Sequence, residues 1–173
     1  MPNLQAVYLF GQSAGGYGII GTWNIARQVF QTPVHTLADS SPFLQPAGDR
    51  WAQIRTNWKP VVAPAGCADC ADGMGPLFAS LADADPSSRH GLLAFTNDAV
   101  LQAFFGFVDQ RAELAAFVKK SYDPRPNTRY LVVEGTSHVV FGQGAPVVDP
   151  GPVAAFVGGW LTGGPAFESS SPF

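Results

Sequence analysis

Four short apolar runs that alternate with predicted helical stretches constrain the fold of this chain more than any other feature. After the first run, apolar residues recur at Ile19, Trp23, Ala26 and Phe30, on one face of a helix. Strands that alternate with helices predict an α/β fold with a parallel sheet and flanking helices. The predicted strands are residues 5–10, 34–38, 92–96 and 130–134. The predicted helices are residues 17–30, 75–84, 99–105, 113–120 and 152–161, and the tail at 168–173 is expected to be frayed.

The segment at residues 42–91 interrupts this alternation. It holds six prolines, two tryptophans and both cysteines, so we interpret it as an insertion of loops and short helices. Its Phe43, Trp51 and Trp58, together with Phe104 and Phe105, could line an acyl or sugar site, although such residues more often form core. The length of 173 residues is typical of one domain.

Charge and hydropathy argue against two kinds of partner. Only 13% of the residues are charged and the net charge is −3, so there is no basic field that would bind nucleic acid. A membrane-spanning helix needs about 20 consecutive apolar residues, and the chain contains no such run. We therefore expect neither a nucleic-acid partner nor a membrane span.

Cys67 and Cys70 form a C-x-x-C motif, which can be a local disulfide, two free thiols, or part of a redox or metal site. A zinc site needs about four ligands. The chain has no second cysteine pair, and His35, His90 and His138 are scattered without ligand spacing. We therefore expect no metal and no cofactor. The local disulfide is the favoured alternative, and the other two stay open.

The sequence Gly-Gln-Ser-Ala-Gly at residues 11–15 matches the pattern G-x-S-x-G between a predicted strand and a predicted helix. That context is the one a nucleophile elbow requires, because the serine must stand exposed on a sharp strand-to-helix turn. The flanking glycines would allow the turn and the close packing of helix on strand. Ser13 is therefore the predicted nucleophile. The N–H group of Ala14, at the helix start, is a predicted oxyanion donor.

Asp98 and His138 are the predicted partners of Ser13. A serine hydroxyl needs a base, and the base needs an orienting acid. α/β-Hydrolases supply these in the chain order Ser, Asp or Glu, His. Asp98 follows the third predicted strand by two residues and His138 follows the fourth by four, at the sheet end where such sites lie. Asp39, just past the second strand, is the alternative acid, in which case Asp98 is expected to cap the next helix.

The other two histidines are weaker candidates for the base. His35 falls inside a predicted strand and is expected to be a core or strand-edge residue. His90 precedes the third predicted strand, at the end of the sheet opposite Ser13, and is expected to lie on the surface.

Four segments of the chain resemble the pectin acetylesterase/Notum family of serine carboxylesterases, which has the α/β-hydrolase fold. They are Leu-Phe-Gly-Gln-Ser-Ala-Gly-Gly at 9–16, Val-His-Thr-Leu-Ala-Asp-Ser at 34–40, Asn-Asp-Ala-Val at 97–100 followed by Phe-Phe-Gly at 104–106, and Gly-Thr-Ser-His at 135–138. The resemblance implies Ser13 as nucleophile, Asp98 as acid and His138 as base. It also implies a structural role for Asp39 and favours a Cys67–Cys70 disulfide.

Domains of that family begin well upstream of the nucleophile strand, with a glycine-rich loop that supplies further oxyanion donors. The resemblance therefore implies that residues 1–173 are a single, partial α/β-hydrolase domain, its C-terminal portion, whose first strand becomes an exposed apolar edge. We expect a serine carboxylester hydrolase acting on a small-molecule or polysaccharide ester. The alternatives are a non-catalytic binding module of the same fold, and a peptidase or lipase with the same triad. Secretion is expected only because the family is largely secreted.

Overall fold

The computed structural model describes residues 4–58, 67–144 and 147–173 and contains one four-stranded sheet. All strands are parallel and their spatial order follows the chain. They are β1 (Val7–Gln12), β2 (Val34–Asp39), β3 (His90–Phe95) and β4 (Thr128–Val133). The sequence prediction of an α/β fold with a parallel sheet is confirmed. Each strand lies within three residues of its predicted position, because short apolar runs are typical of buried parallel strands.

Six α-helices and one 3-10 helix flank the sheet within the described residues. They are α1 (Ala14–Phe30), α2 (Arg50–Trp58), the 3-10 helix Ala68–Ala71, α3 (Met74–Ala84), α4 (Ala99–Phe105), α5 (Gln110–Ser121) and α6 (Pro150–Thr162). The segment at 42–91 contains α2, the 3-10 helix and α3, as short helices were predicted there, and its last two residues belong to β3. Residues 59–66 of that segment and the side chain of Trp58 lie outside the described part of the structure.

The core lies on both faces of the sheet. On β3, Leu92 and Ala94 pack with helices α1, α2, α3 and α5, whereas Leu93 and Phe95 face α6. Successive side chains of a strand point to opposite faces of the sheet, and here helices cover both faces. None of the described helices is long and apolar enough to cross a bilayer.

The two edges of the sheet differ. At one edge β1 exposes 43% of Tyr8 and 46% of Phe10, and no described strand pairs with its outer side, as expected for an exposed apolar edge. At the other edge, the C-terminal tail pairs with β4 through Ser170, which donates to Tyr130 O and accepts from Val132 N. The prediction of a frayed tail is therefore wrong, because the unpaired backbone of β4 binds it.

His90 is only 2% exposed, so the prediction that it lies on the surface is wrong. The residue begins β3, and its ring packs against Trp23 and Phe78, with Nδ1 2.8 Å from the hydroxyl of Thr36. His35, as predicted, is a buried residue of its strand. Burial lowers the pKa of His90 to about 4, and burial together with the charge of Arg89 lowers the pKa of His35 to about 4.

These buried histidines predict a loss of stability in mild acid. Both pKa values are depressed on folding, so the unfolded chain binds more protons as the pH falls from about 6.5 to about 4. We expect the free energy of unfolding to fall between pH 7 and pH 5, with the fully buried His90 contributing on the order of 1–2 kcal/mol and His35 acting in the same direction. Urea unfolding at both pH values measures it. In the variant His90→Asn the fall in the free energy of unfolding between the two pH values should be smaller by the contribution of His90. An equal fall in both proteins would contradict the prediction.

Candidate active site

Ser13 occupies a strained turn between β1, which ends at Gln12, and α1, which begins at Ala14. Its backbone has φ 51° and ψ −123°, a region that residues other than glycine rarely enter. Strain of this kind persists only where the surroundings hold it, and it clusters at functional sites. The carbonyl oxygen of Ser13 is held by Gly16 N at 2.9 Å and by the hydroxyl of Ser41 at 2.6 Å.

The turn needs glycine at two positions, Gly11 and Gly16. A Cβ atom on Gly11 would lie 2.7 Å from the backbone nitrogen of Gly16, and one on Gly16 would lie 2.9 Å from the carbonyl oxygen of Gly11 and 2.6 Å from Cβ of Ser41. A Cβ atom on Gly15 would meet nothing within 4 Å. The close packing of helix on strand predicted from G-x-S-x-G is therefore supplied at its C-terminal side by Gly16, one residue later than the pattern suggests.

The carboxylate of Asp98 contacts His138 directly. The Nδ1–H group of His138 donates to Asp98 Oδ2 at 2.7 Å. Asp98 Oδ1 accepts from Val100 N at 3.0 Å and Leu101 N at 3.1 Å, so the residue also caps α4. Asp98 is fully buried, whereas the side chain of His138 is 21% exposed. A buried acid fixed at one oxygen by a helix N-terminus can orient an imidazole with the other, and Nε2 remains as the nitrogen that can take a proton.

Asp39, the alternative acid, hydrogen-bonds the backbone beyond His138, and no hydrogen bond joins it to the ring. Its Oδ1 accepts from Val140 N at 2.8 Å, and its Oδ2 accepts from Phe141 N at 2.8 Å and Gln12 Nε2 at 3.2 Å. Burial raises the pKa of this carboxyl above its ordinary value, while the two backbone N–H groups oppose that rise. The structure thus pairs His138 with Asp98 and assigns Asp39 to the loop that follows His138.

The tripeptide Asp39–Ser40–Ser41 joins the two halves of the site. Ser13 N donates to the carbonyl oxygen of Asp39 at 2.8 Å, and Ser41 holds the carbonyl of Ser13. On the other side, Ser40 Oγ accepts from Val139 N at 2.8 Å. Ser13, Asp39, Asp98 and the histidine loop thus lie at or just beyond the carboxyl ends of four adjacent parallel strands, where α/β sheets place their sites.

Sequence reasoning missed the serines of this tripeptide and the backbone of Val139. Ser40 and Val139 have φ values of 50° and 67°, and a positive φ is a marked outlier for a β-branched residue such as Val139. Three strained residues that include Ser13 therefore meet at one place. The available signal was the polar run Asp-Ser-Ser at residues 39–41, where the second apolar run ends.

The aromatic residues proposed to line a substrate site divide into core and surface. Phe43, Phe105 and Trp51 are buried in the core, while Phe104 on α4 is 59% exposed. A separate cavity of about 650 Å³ lies between α3 and α5, and its lining includes Phe43 and Phe117 but none of the candidate catalytic residues. That cavity is therefore distinct from the site at Ser13.

The two cysteines form a disulfide, and the described residues offer no metal site. Cys67, directly before the 3-10 helix, is disulfide-bonded to Cys70 within that helix, with their Cα atoms 5.5 Å apart. Trp51 Nε1 and Arg55 Nη1 both donate to the carbonyl oxygen of Ala71, which attaches this turn to α2. Among the described residues, no cluster of three or more His, Cys, Asp or Glu side chains could hold a metal ion.

A scan against protein-family models and a search of curated proteins both gave no match.

Proposed function

We propose that this chain is a serine carboxylester hydrolase of the α/β-hydrolase type, similar to the pectin acetylesterases, with Ser13, His138 and Asp98 as its triad. The observation that carries the proposal is the strained backbone of Ser13 at a strand-to-helix turn. The Asp98–His138 hydrogen bond and the shared docking of elbow and histidine loop on residues 39–41 support it. The order Ser, Asp, His along the chain agrees with that fold class.

The residues account for both halves of ester hydrolysis. Ser13 Oγ attacks the carbonyl carbon while His138 Nε2 takes the hydroxyl proton. The intermediate then expels the alcohol, which receives that proton, and an acyl ester remains on Ser13. Water attacks this ester, again giving a proton to His138, which returns it to Ser13 as the carboxylic acid leaves. Asp98 stabilises the imidazolium that forms in each half.

The backbone N–H group of Ala14 is the oxyanion donor in this proposal. It is the first residue of α1, and the first N–H groups of a helix have no acceptor within the helix. These groups also carry the positive end of the helix dipole, which favours a developing negative charge. The proposed substrate is a small-molecule or polysaccharide ester, and a series of acetyl, longer acyl and amide substrates would distinguish an acetylesterase from a lipase or peptidase.

A fluorophosphonate probe tests the proposal directly. We expect one covalent adduct per chain, located on Ser13 by peptide mass spectrometry, because such probes react with serines that a neighbouring base activates. Ser13→Ala should abolish labelling, and Ser80→Ala, on α3 away from the site, should leave it unchanged. Labelling spread over several serines, or none on Ser13, would refute the proposal. Ester hydrolysis unchanged in His138→Ala would favour the non-catalytic module.

A further inference from the structure

The segment that follows His138 depends on Asp39 for its backbone hydrogen bonds. Val140 N and Phe141 N each donate to one oxygen of this carboxylate at 2.8 Å. Gln12 Nε2 reaches the carboxylate at 3.2 Å and also donates to the carbonyl oxygen of Phe141 at 3.0 Å. Asp39 is fully buried at the end of β2, a fully buried interior strand of the sheet. The loop is therefore fastened to the sheet chiefly through one side chain.

The three groups that face this carboxylate are all donors. An ionised carboxylate accepts at both oxygens, whereas a protonated one carries an O–H group that would need an acceptor. The hydrogen-bond pattern therefore fits the ionised form. Within the described part of the chain, none of the ion pairs involves Asp39. Its charge is balanced by N–H dipoles, and it attracts an imidazolium at His138.

Ser40 adds a second point of attachment beside Asp39. Its hydroxyl oxygen accepts from Val139 N at 2.8 Å, and both residues have positive φ values. Three successive backbone N–H groups, at residues 139–141, thus end on two adjacent side chains. A β-branched residue is held in a left-handed conformation directly after the imidazole, and this conformation persists because its surroundings impose it.

We propose that Asp39, with Ser40, is a positioning residue that holds the imidazole of His138 on Asp98 by binding the backbone of the next three residues. This inference rests on the proposed hydrolase function for its kinetic consequence, but the positioning itself can be measured without turnover. Asp39 touches no reacting atom and acts through the loop. A displacement of a catalytic group by about 1 Å can cost about 10²-fold in rate.

The experiment compares Asp39→Asn with wild type by two measurements on the full chain. The first is the low-field proton NMR signal of the His138 Nδ1–H group, assigned by its absence in His138→Gln. The second is the rate of fluorophosphonate labelling. In the variant the new amide NH₂ faces a backbone N–H donor, so the loop loses a hydrogen bond. We expect the low-field signal to broaden or vanish and labelling to slow about 10- to 100-fold.

Asp85→Asn is the matched control, because Asp85 is also buried, accepts from Ser87 and Ser88, and lies near the opposite end of the sheet. It should lose stability but keep both the signal and the labelling rate. Ser40→Gly removes only the acceptor of Val139 N, and glycine tolerates the positive φ at position 40. This variant serves as the test if Asp39→Asn does not fold. We expect about a tenfold slower labelling in Ser40→Gly and a broadened signal.

The outcomes separate the two proposals. If Asp39→Asn, or Ser40→Gly where Asp39→Asn does not fold, keeps the low-field signal and labels within twofold of wild type, the proposed positioning by residues 39 and 40 is overturned. If wild type is never labelled but the signal still disappears in Asp39→Asn and persists in Asp85→Asn, the positioning role stands and the hydrolase function fails. If the signal also persists in Asp39→Asn, both are overturned.

Discussion

Asp98→Asn is expected to lower kcat/KM for an ester substrate by about 10³- to 10⁴-fold while the protein stays folded. The amide oxygen can still accept from Val100 N and Leu101 N, and asparagine caps helices about as well as aspartate. The amide NH₂ group, however, would replace the oxygen that now accepts from His138 Nδ1. Two donors cannot pair, so the imidazole changes its tautomer and Nε2 carries the proton that it should be free to accept.

Asp109→Asn is the matched control for this substitution. Asp109 caps the neighbouring helix α5, where it accepts from Ala112 N at 3.0 Å, but it is exposed and contacts no candidate catalytic residue. We expect its kcat/KM to equal that of wild type and the melting temperatures of both variants to stay close to it. An equal loss of activity in both would mean that helix capping alone matters. Wild-type activity in Asp98→Asn would remove Asp98 from the triad.

Most of the fold follows from local pattern. The apolar runs of β2 and β3 are continuous because a sheet covered on both faces buries every position of these strands, whereas β1, at the edge, keeps exposed positions. The rule that sites lie beyond the carboxyl ends of parallel strands predicted Asp98 and His138 as site residues from sequence alone. In the structure a hydrogen bond of 2.7 Å joins these two residues. These features depend on residues close together in sequence and on one topological rule.

What sequence could not provide depends on distant neighbours. His90 is buried because Trp23 and Phe78, which lie on two different helices, pack against its ring. The tail is ordered because the edge of β4 offers unpaired backbone groups. Among the described side chains of α2 only Trp51 and Ile54 are buried, too few to produce a clear period. Ser40 could not be singled out because its role is set by backbone contacts with a loop 99 residues away.

The G-x-S-x-G pattern does not show which of its glycines is required sterically. That distinction gives the second prediction with a large effect, which concerns stability. We expect Gly11→Ala to destabilise the protein by about 3 kcal/mol, near the upper end for overpacking, because its Cβ atom would overlap the backbone of residues 15 and 16. Helix α1 would have to move away from β1, and Ser13 would lose the turn that strains it. Fluorophosphonate labelling should therefore fall together with the urea midpoint.

Gly15→Ala, in the same motif, is expected to have the opposite effect on stability. Its Cβ atom meets nothing within 4 Å, the residue lies in the first turn of α1, and alanine favours helix over glycine by about 1 kcal/mol. The urea midpoint should therefore rise slightly. A comparable loss in both variants would show that the motif acts through backbone flexibility. Opposite signs would show that the motif works by steric contact, with the elbow requiring glycine only where strand and helix backbones touch.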